Sequence, residues 1–132
     1  MSVDSTVARA HQHAAGARRR GDLQAEPPDH GLGRSRGGLT TKVHLACEQR
    51  QKPLSVVITA GQRGDSPQFQ PVLEAIAVPR LGPGRARTRP DRVLADKAYG
   101  SRANRAYLAS RLPAAIEESR VTIRQVVLQA SP

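Results

Sequence analysis

Over the first residues of the chain, apolar and polar positions alternate weakly, with Val3, Ser5 and Val7 set against Asp4, Thr6 and Ala8. That period of two predicts a strand starting within three residues of the beginning. Residues 14–38, AAGARRRGDLQAEPPDHGLGRSRGG, hold six glycines, two prolines and five arginines with no period of 2 or 3.6. A long basic loop or disordered arm is expected there. KVHLAC then places Val43, Leu45 and Cys47 on one face, EQRQK supplies a polar turn, and PLSVVITA alternates through Leu54, Val56 and Ile58. Two β-branched strands joined by a short polar turn predict an antiparallel hairpin.

Further along, Phe69, Val72, Leu73 and Ile76 fall at i, i+3, i+4 and i+7, one face of a helix. Ser66 can cap it with Pro67 at the first helical position, but Pro71 inside would cost a hydrogen bond, so the regular helix is expected near Pro71. Residues 79–91, PRLGPGRARTRPD, contain three prolines, two glycines and four arginines and are read as a second basic loop without regular structure. Val93, Leu94 and Ala95 follow as a continuous apolar run, the signature of a short strand buried on both faces. SRANRAYLASRL is read as a helix capped by Ser101, with Leu108 and Leu112 four apart and Pro113 as its stop. The residues Ala114, Ala115 and Ile116 suit one more short strand. The order is β-β-β-α-β-α-β, an α/β fold.

Length and composition narrow this further. A chain of 132 residues supports one core, and with only Phe69, Tyr99 and Tyr107 as aromatics that core rests on Val, Leu, Ile and Ala. The balance of 21 Lys+Arg against 11 Asp+Glu gives a net charge of +10, nearly all of the excess being arginine. Arginine neutralises phosphates and releases their counterions, so a polyanionic partner is expected. The single cysteine, Cys47, excludes an internal disulfide and suits a reducing compartment. No apolar run is long enough for a membrane span, so a cytoplasmic, nucleoid-associated protein with no membrane partner is expected.

Asp96 ends the apolar run, where a strand delivers its side chain to the sheet's C-terminal end and a ligand can approach. The order of elements can set the first and fourth strands side by side, bringing Asp4 to Asp96. Two converging carboxylates repel unless a hard divalent cation lies between them, and such cations activate a water or hydroxyl against a phosphodiester. An isolated aspartate would otherwise pair with Arg92 or Lys97 or cap the next turn.

These residues also carry a resemblance. VDSTVARAHQHAAGA, DHGLGRSRGGLTTKVHLA, PLSVVITAGQRGDSPQF, RTRPDRVLADKAYGSRANRAYL and the following AAI are similar, in order, to the central segment of bacterial insertion-sequence transposases of the DDE class, insertion-sequence-five group, over roughly residues 2–118. The resemblance implies a ribonuclease-H-like fold, cleavage of transposon-end DNA and strand transfer into target DNA by a metal-bound triad of two aspartates and a glutamate, using Mg²⁺ or Mn²⁺. It allows a homodimer in the intact family. By position Asp4 matches the first aspartate and Asp96 the second.

The departures carry equal weight. After Glu118 the chain runs SRVTIRQVVLQASP without an acid, so nothing fills the third position, and Glu117 and Glu118 come too early and are assigned to a solvated turn. The region that precedes the first aspartate in relatives is absent as well. The expectation is a truncated internal fragment with a foreign, frameshifted tail, incomplete for want of the final catalytic helix, holding metal weakly if at all. Its parts read as a first strand in 1–13, a basic flexible loop in 14–38, the rest of the transposase domain in 39–118 and a non-family tail in 119–132. Arg18, Arg19, Arg20, Arg34, Arg36, Arg80, Arg85, Arg87, Arg89 and Lys97 suit phosphate contacts without base readout. The alternatives are a small basic protein binding nucleic acid non-specifically and an unfolded relic. Weaker signals are set aside: Gly31, Gly33 and Gly37 are misspaced for a dinucleotide loop, His11 and His13 read as solvated, His44 and Cys47 lack zinc partners, and Asp65 reads as a helix cap or a residue of the site's rim.

Overall fold

The computed structural model describes residues 1–11, 13 and 31–111, a mixed α/β arrangement of five mostly antiparallel strands and two α-helices. Strand β1 (Ser2–Arg9) pairs antiparallel with β3 (Gly38–Cys47) along its whole length, from Ser2 opposite Cys47 to Arg9 opposite Thr40. The other edge of β3 is shared by β2 (Gly33–Ser35) and β4 (Pro53–Ala60), both antiparallel to it. The expected hairpin is therefore present as β3 and β4, with a register shift at Ala46 and Cys47. Short β2 is a correction to the basic loop expected over 14–38: Arg34 lies inside a strand, and the chain reverses through Arg36 and Gly37 into β3. Glycine-rich composition hid it, because three residues paired to a long neighbour need no hydrophobic alternation of their own.

The helical face materialises in two pieces. A turn of 3₁₀ helix at Ser66–Gln68 leads into α1 (Phe69–Glu74), with Pro71 inside the first turn of α1, where a missing amide costs no helical hydrogen bond. Phe69, Val72, Leu73 and Ile76 are buried and join Val3, Ala46 and Tyr99 in the core. Notably, α1 does not cover the sheet face bearing Val43, Leu45, Val56 and Ile58. It covers the opposite face, which carries His44 and Ala46 on β3 and Ser55 and Thr59 on β4, all buried. Val56 and Ile58 stay about half exposed, at 52% and 49%. Ser55, His44 and Thr59 each find a partner in compensation, although His44 Nδ1 is left without a hydrogen bond. Ser55 Oγ donates to the Val72 carbonyl at 2.7 Å, and His44 Nε2 lies 2.9 Å from Thr59 Oγ1.

Residues 79–91 form a loop whose root is more regular than its composition suggested. Val78 and Arg87 exchange two backbone hydrogen bonds, of 3.0 and 2.8 Å, as an isolated antiparallel bridge. The chain then enters β5 (Leu94–Ala95), parallel to β1. Among the described residues β5 ends the sheet and is only half buried, which corrects the expectation of a strand covered on both faces. Val93 and Ala95 nevertheless pack against the core. A 3₁₀ turn at Lys97–Tyr99 leads to α2 (Arg102–Arg111), where Ser101 Oγ accepts from the Asn104 amide at 3.2 Å, the expected cap. The expected strand at 114–116, the stop at Pro113 and the acids Glu117 and Glu118 lie outside the described residues. Among the described residues no helix is long and apolar enough to cross a membrane.

Candidate catalytic edge and basic surface

Two paired positions decide where the acids go. Parallel pairing of β1 with β5 sets Ser2 beside Leu94 and Val3 beside Ala95, so the next position on each strand is Asp4 and Asp96. Both aspartates are exposed. Asp4 Oδ1 accepts from the Ser5 amide at 2.8 Å, and Asp96 Oδ1 accepts from the Lys97 amide, capping the 3₁₀ turn. Each carboxylate thus has one oxygen oriented by its own backbone. The pair offers hard anionic oxygens at one solvent-facing edge, a donor set suited to a divalent cation of the Mg²⁺ or Mn²⁺ kind. Among the described residues no group of three or more His, Cys, Asp or Glu side chains gathers around them.

Behind this edge sits Tyr99, buried, its ring 5.5 Å from that of Phe69. Burial raises its hydroxyl pKa; the neighbouring Ser5 side chain pulls the other way, while Asp65, Asp4 and Asp96 push it further up. The hydroxyl makes no hydrogen bond of good geometry. Three carboxylates thus act electrostatically on one buried hydroxyl, a relation that no spacing in the sequence announces.

Asp65 precedes the 3₁₀ turn but does not cap it through its side chain, contrary to the helix-cap expectation. Its Oδ1 instead lies 3.0 Å from Lys42 Nζ and 4.0 Å from His44 Nδ1. Lys42 Nζ also donates to the Arg63 carbonyl at 2.8 Å, so one cation holds both ends of the loop before α1. The lysine ammonium is the stronger competitor for that carboxylate because it brings full charge, whereas the local amide offers only a dipole. His44 is fully buried, and burial lowers its pKa, partly offset by Asp65 and reinforced by Lys42.

Asn104 was not singled out by sequence, yet it is the buried joint of the region. Its Nδ2 group faces the Ser66 carbonyl at 3.1 Å, Ser66 Oγ at 3.1 Å and the Tyr99 carbonyl at 3.0 Å. It thereby ties α2 to the turn after Asp65 and to the turn after Asp96. The one hint in the sequence is an amide within an otherwise Arg- and Ala-rich helix.

Of the basic residues, Arg34, Arg36, Arg80, Arg85, Arg87, Arg89 and Lys97 are exposed, while Arg18, Arg19 and Arg20 lie outside the described residues. Lys97 adjoins the acid edge directly. Arg87 is partly engaged by Asp91, with Nη2 3.5 Å from Oδ2.

The sequence model of the family described as transposase DDE domain matches residues 1–125. No curated protein and no solved structure matches the chain. With paired acids on adjoining strands and a family match along nearly the whole sequence, the chain belongs to the transposase DDE domain family.

Proposed function

We propose that this chain is the central part of a ribonuclease-H-like transposase domain of the insertion-sequence-five group, with Asp4 and Asp96 as two of its three metal-holding acids. Transposases of this family act on DNA and generally use divalent metal ions. The observation that carries the reading is the β1–β5 register, which brings residues 4 and 96 to the same edge of the sheet. A divalent cation bound there would supply activation of a water or a 3′-hydroxyl for in-line attack on a phosphodiester. The chain's own part is to orient Asp4 and Asp96 through the Ser5 and Lys97 amides, and to offer Lys97, Arg34, Arg36, Arg85, Arg87 and Arg89, with Arg18, Arg19 and Arg20, to the DNA backbone.

Within residues 1–132 the site is proposed to have two of its three acids, since 119–132 carry none, and a site short of one anionic ligand holds dications close together less well. Transposon ends and target DNA are its substrates in the intact family, where a homodimer and a nucleoid location are expected.

The test is Mn²⁺ titration of the purified protein by calorimetry, beside a nicking and strand-transfer assay on transposon-end DNA. Weak Mn²⁺ binding that disappears in Asp4→Asn and in Asp96→Asn, without strand transfer, is the expected result. Metal-dependent nicking that vanishes in Asp96→Asn would overturn the incompleteness. DNA binding with no metal binding would instead favour a small, basic, non-specific nucleic-acid-binding protein.

A further inference from the structure

The loop between α1 and β5 has a construction that folding alone does not explain. Its root is fixed: Val78 packs against the core and is bridged to Arg87 by two backbone hydrogen bonds. Its tip, Arg80-Leu81-Gly82-Pro83-Gly84-Arg85, turns through Gly84 at φ +137°, a conformation that L side chains rarely adopt. Leu81 stands at that tip entirely exposed, at 111% of its reference area. No other large apolar side chain among the described residues is so exposed; the next, Val7, reaches 54%. Around it Arg80, Arg85, Arg87 and Arg89 all face solvent. The native fold gains nothing from leaving this leucine in water, and a single exposed apolar residue is ordinary until its setting is unusual. Here the setting is a loop anchored at its root, restricted by Pro83 near its tip and flanked by four arginines.

We propose that this loop is a DNA wedge, in which the arginines hold the backbone and minor groove of a duplex while Leu81 enters between two base pairs and unstacks them. Apolar side chains inserted beside arginines are a general means of kinking DNA, and the lost stacking is offset by the wider contact of the bent duplex. The inference rests on DNA being the partner of this chain. Its placement follows from the sheet. The loop rejoins the fold at Arg92, whose carbonyl accepts from the Met1 amino group at 2.9 Å, at the start of β5, whereas Asp96 lies just past the end of that strand. Four residues of extended chain span roughly 13 Å, about four base-pair steps of duplex. The loop's return point and the acids thus lie at the two ends of β5, within reach of one duplex.

The experiment uses the full chain and short duplexes carrying, at successive positions, a purine analogue that fluoresces on unstacking. Binding is followed in parallel by anisotropy at low salt. The wild type should brighten the analogue at a confined set of positions. Leu81→Ala should return that signal to the free-duplex level while weakening binding by less than about threefold, and Leu81→Phe should keep it. Leu81 touches nothing in the fold, so circular dichroism should be the same for all three proteins. Binding without unstacking, or unstacking that persists in Leu81→Ala, overturns the wedge and leaves the DNA reading intact. Absence of DNA binding at low salt overturns both.

Discussion

At the scale of single residues, Asp96 and Asn104 divide the work of the acid edge. In the proposed site Asp96 supplies charge, so Asp96→Asn should lower Mn²⁺ affinity by at least about tenfold with little change in melting temperature, because the side chain is exposed and asparagine keeps the oxygen that accepts from the Lys97 amide. Asn104 supplies position. Asn104→Leu leaves the Ser66 and Tyr99 carbonyls without their buried donor and should cost about 1–3 kcal/mol, read from urea unfolding. His44 adds a pH dependence with a definite sign. Burial lowers its pKa from the ordinary 6.5, so the unfolded chain takes up a proton more readily than the folded one. The stability tied to neutral His44 is fully present above 6.5 and is lost as pH falls through the depressed folded value. The urea midpoint should accordingly fall below pH 6.5, and the fall should be shallower in His44→Gln, which cannot titrate. The roles of Asn104 and His44, unlike that of Asp96, do not show in the sequence around the residue. His44 on β3 and Thr59 on β4 are single polar positions in separate strands, and only the folded sheet with α1 over it pairs and buries them.

At the scale of elements, the sheet has one committed face and one uncommitted face. Leu73→Ala on α1 should cost about 2–5 kcal/mol, since Leu73 is fully buried in the core. Ile58→Thr on the far face of β4 should cost less than about 1 kcal/mol, since half of that side chain is already in water. Comparable chemical denaturation of the two variants would show that a partner or further chain covers the far face in solution. Most elements themselves were legible. Period-two stretches gave β1, β3 and β4, the i, i+3, i+4, i+7 set gave α1, and Ser101 with its following residues gave α2. What escaped was β2 and the edge position of β5. Both are two or three residues long, too short to carry a period, and exist because a longer neighbour offers backbone partners.

At the scale of the molecule, the basic residues expected to meet DNA lie towards both ends of the strand order β2-β3-β1-β5. Arg34 and Arg36 lie on β2 and its turn, Arg85, Arg87 and Arg89 on the loop before β5, and Lys97 beside the acids. Replacing Arg85, Arg87 and Arg89 together by alanine should flatten the plot of log affinity against log salt by about 2–3, one released counterion for each lost phosphate contact. An unchanged slope would remove that loop from the DNA interface. Sequence by itself gave the main strands and helices, the expectation of a polyanionic partner and the choice of Asp4 and Asp96 as the proposed acids, because charge, periodicity and motif wording are local properties of the chain. Only the tertiary structure decided that Asp4 and Asp96 share an edge, which sheet face is buried, and that Asp65 turns to Lys42. Those outcomes depend on strand register and on which face α1 covers, and both are fixed by contacts between residues far apart in the chain.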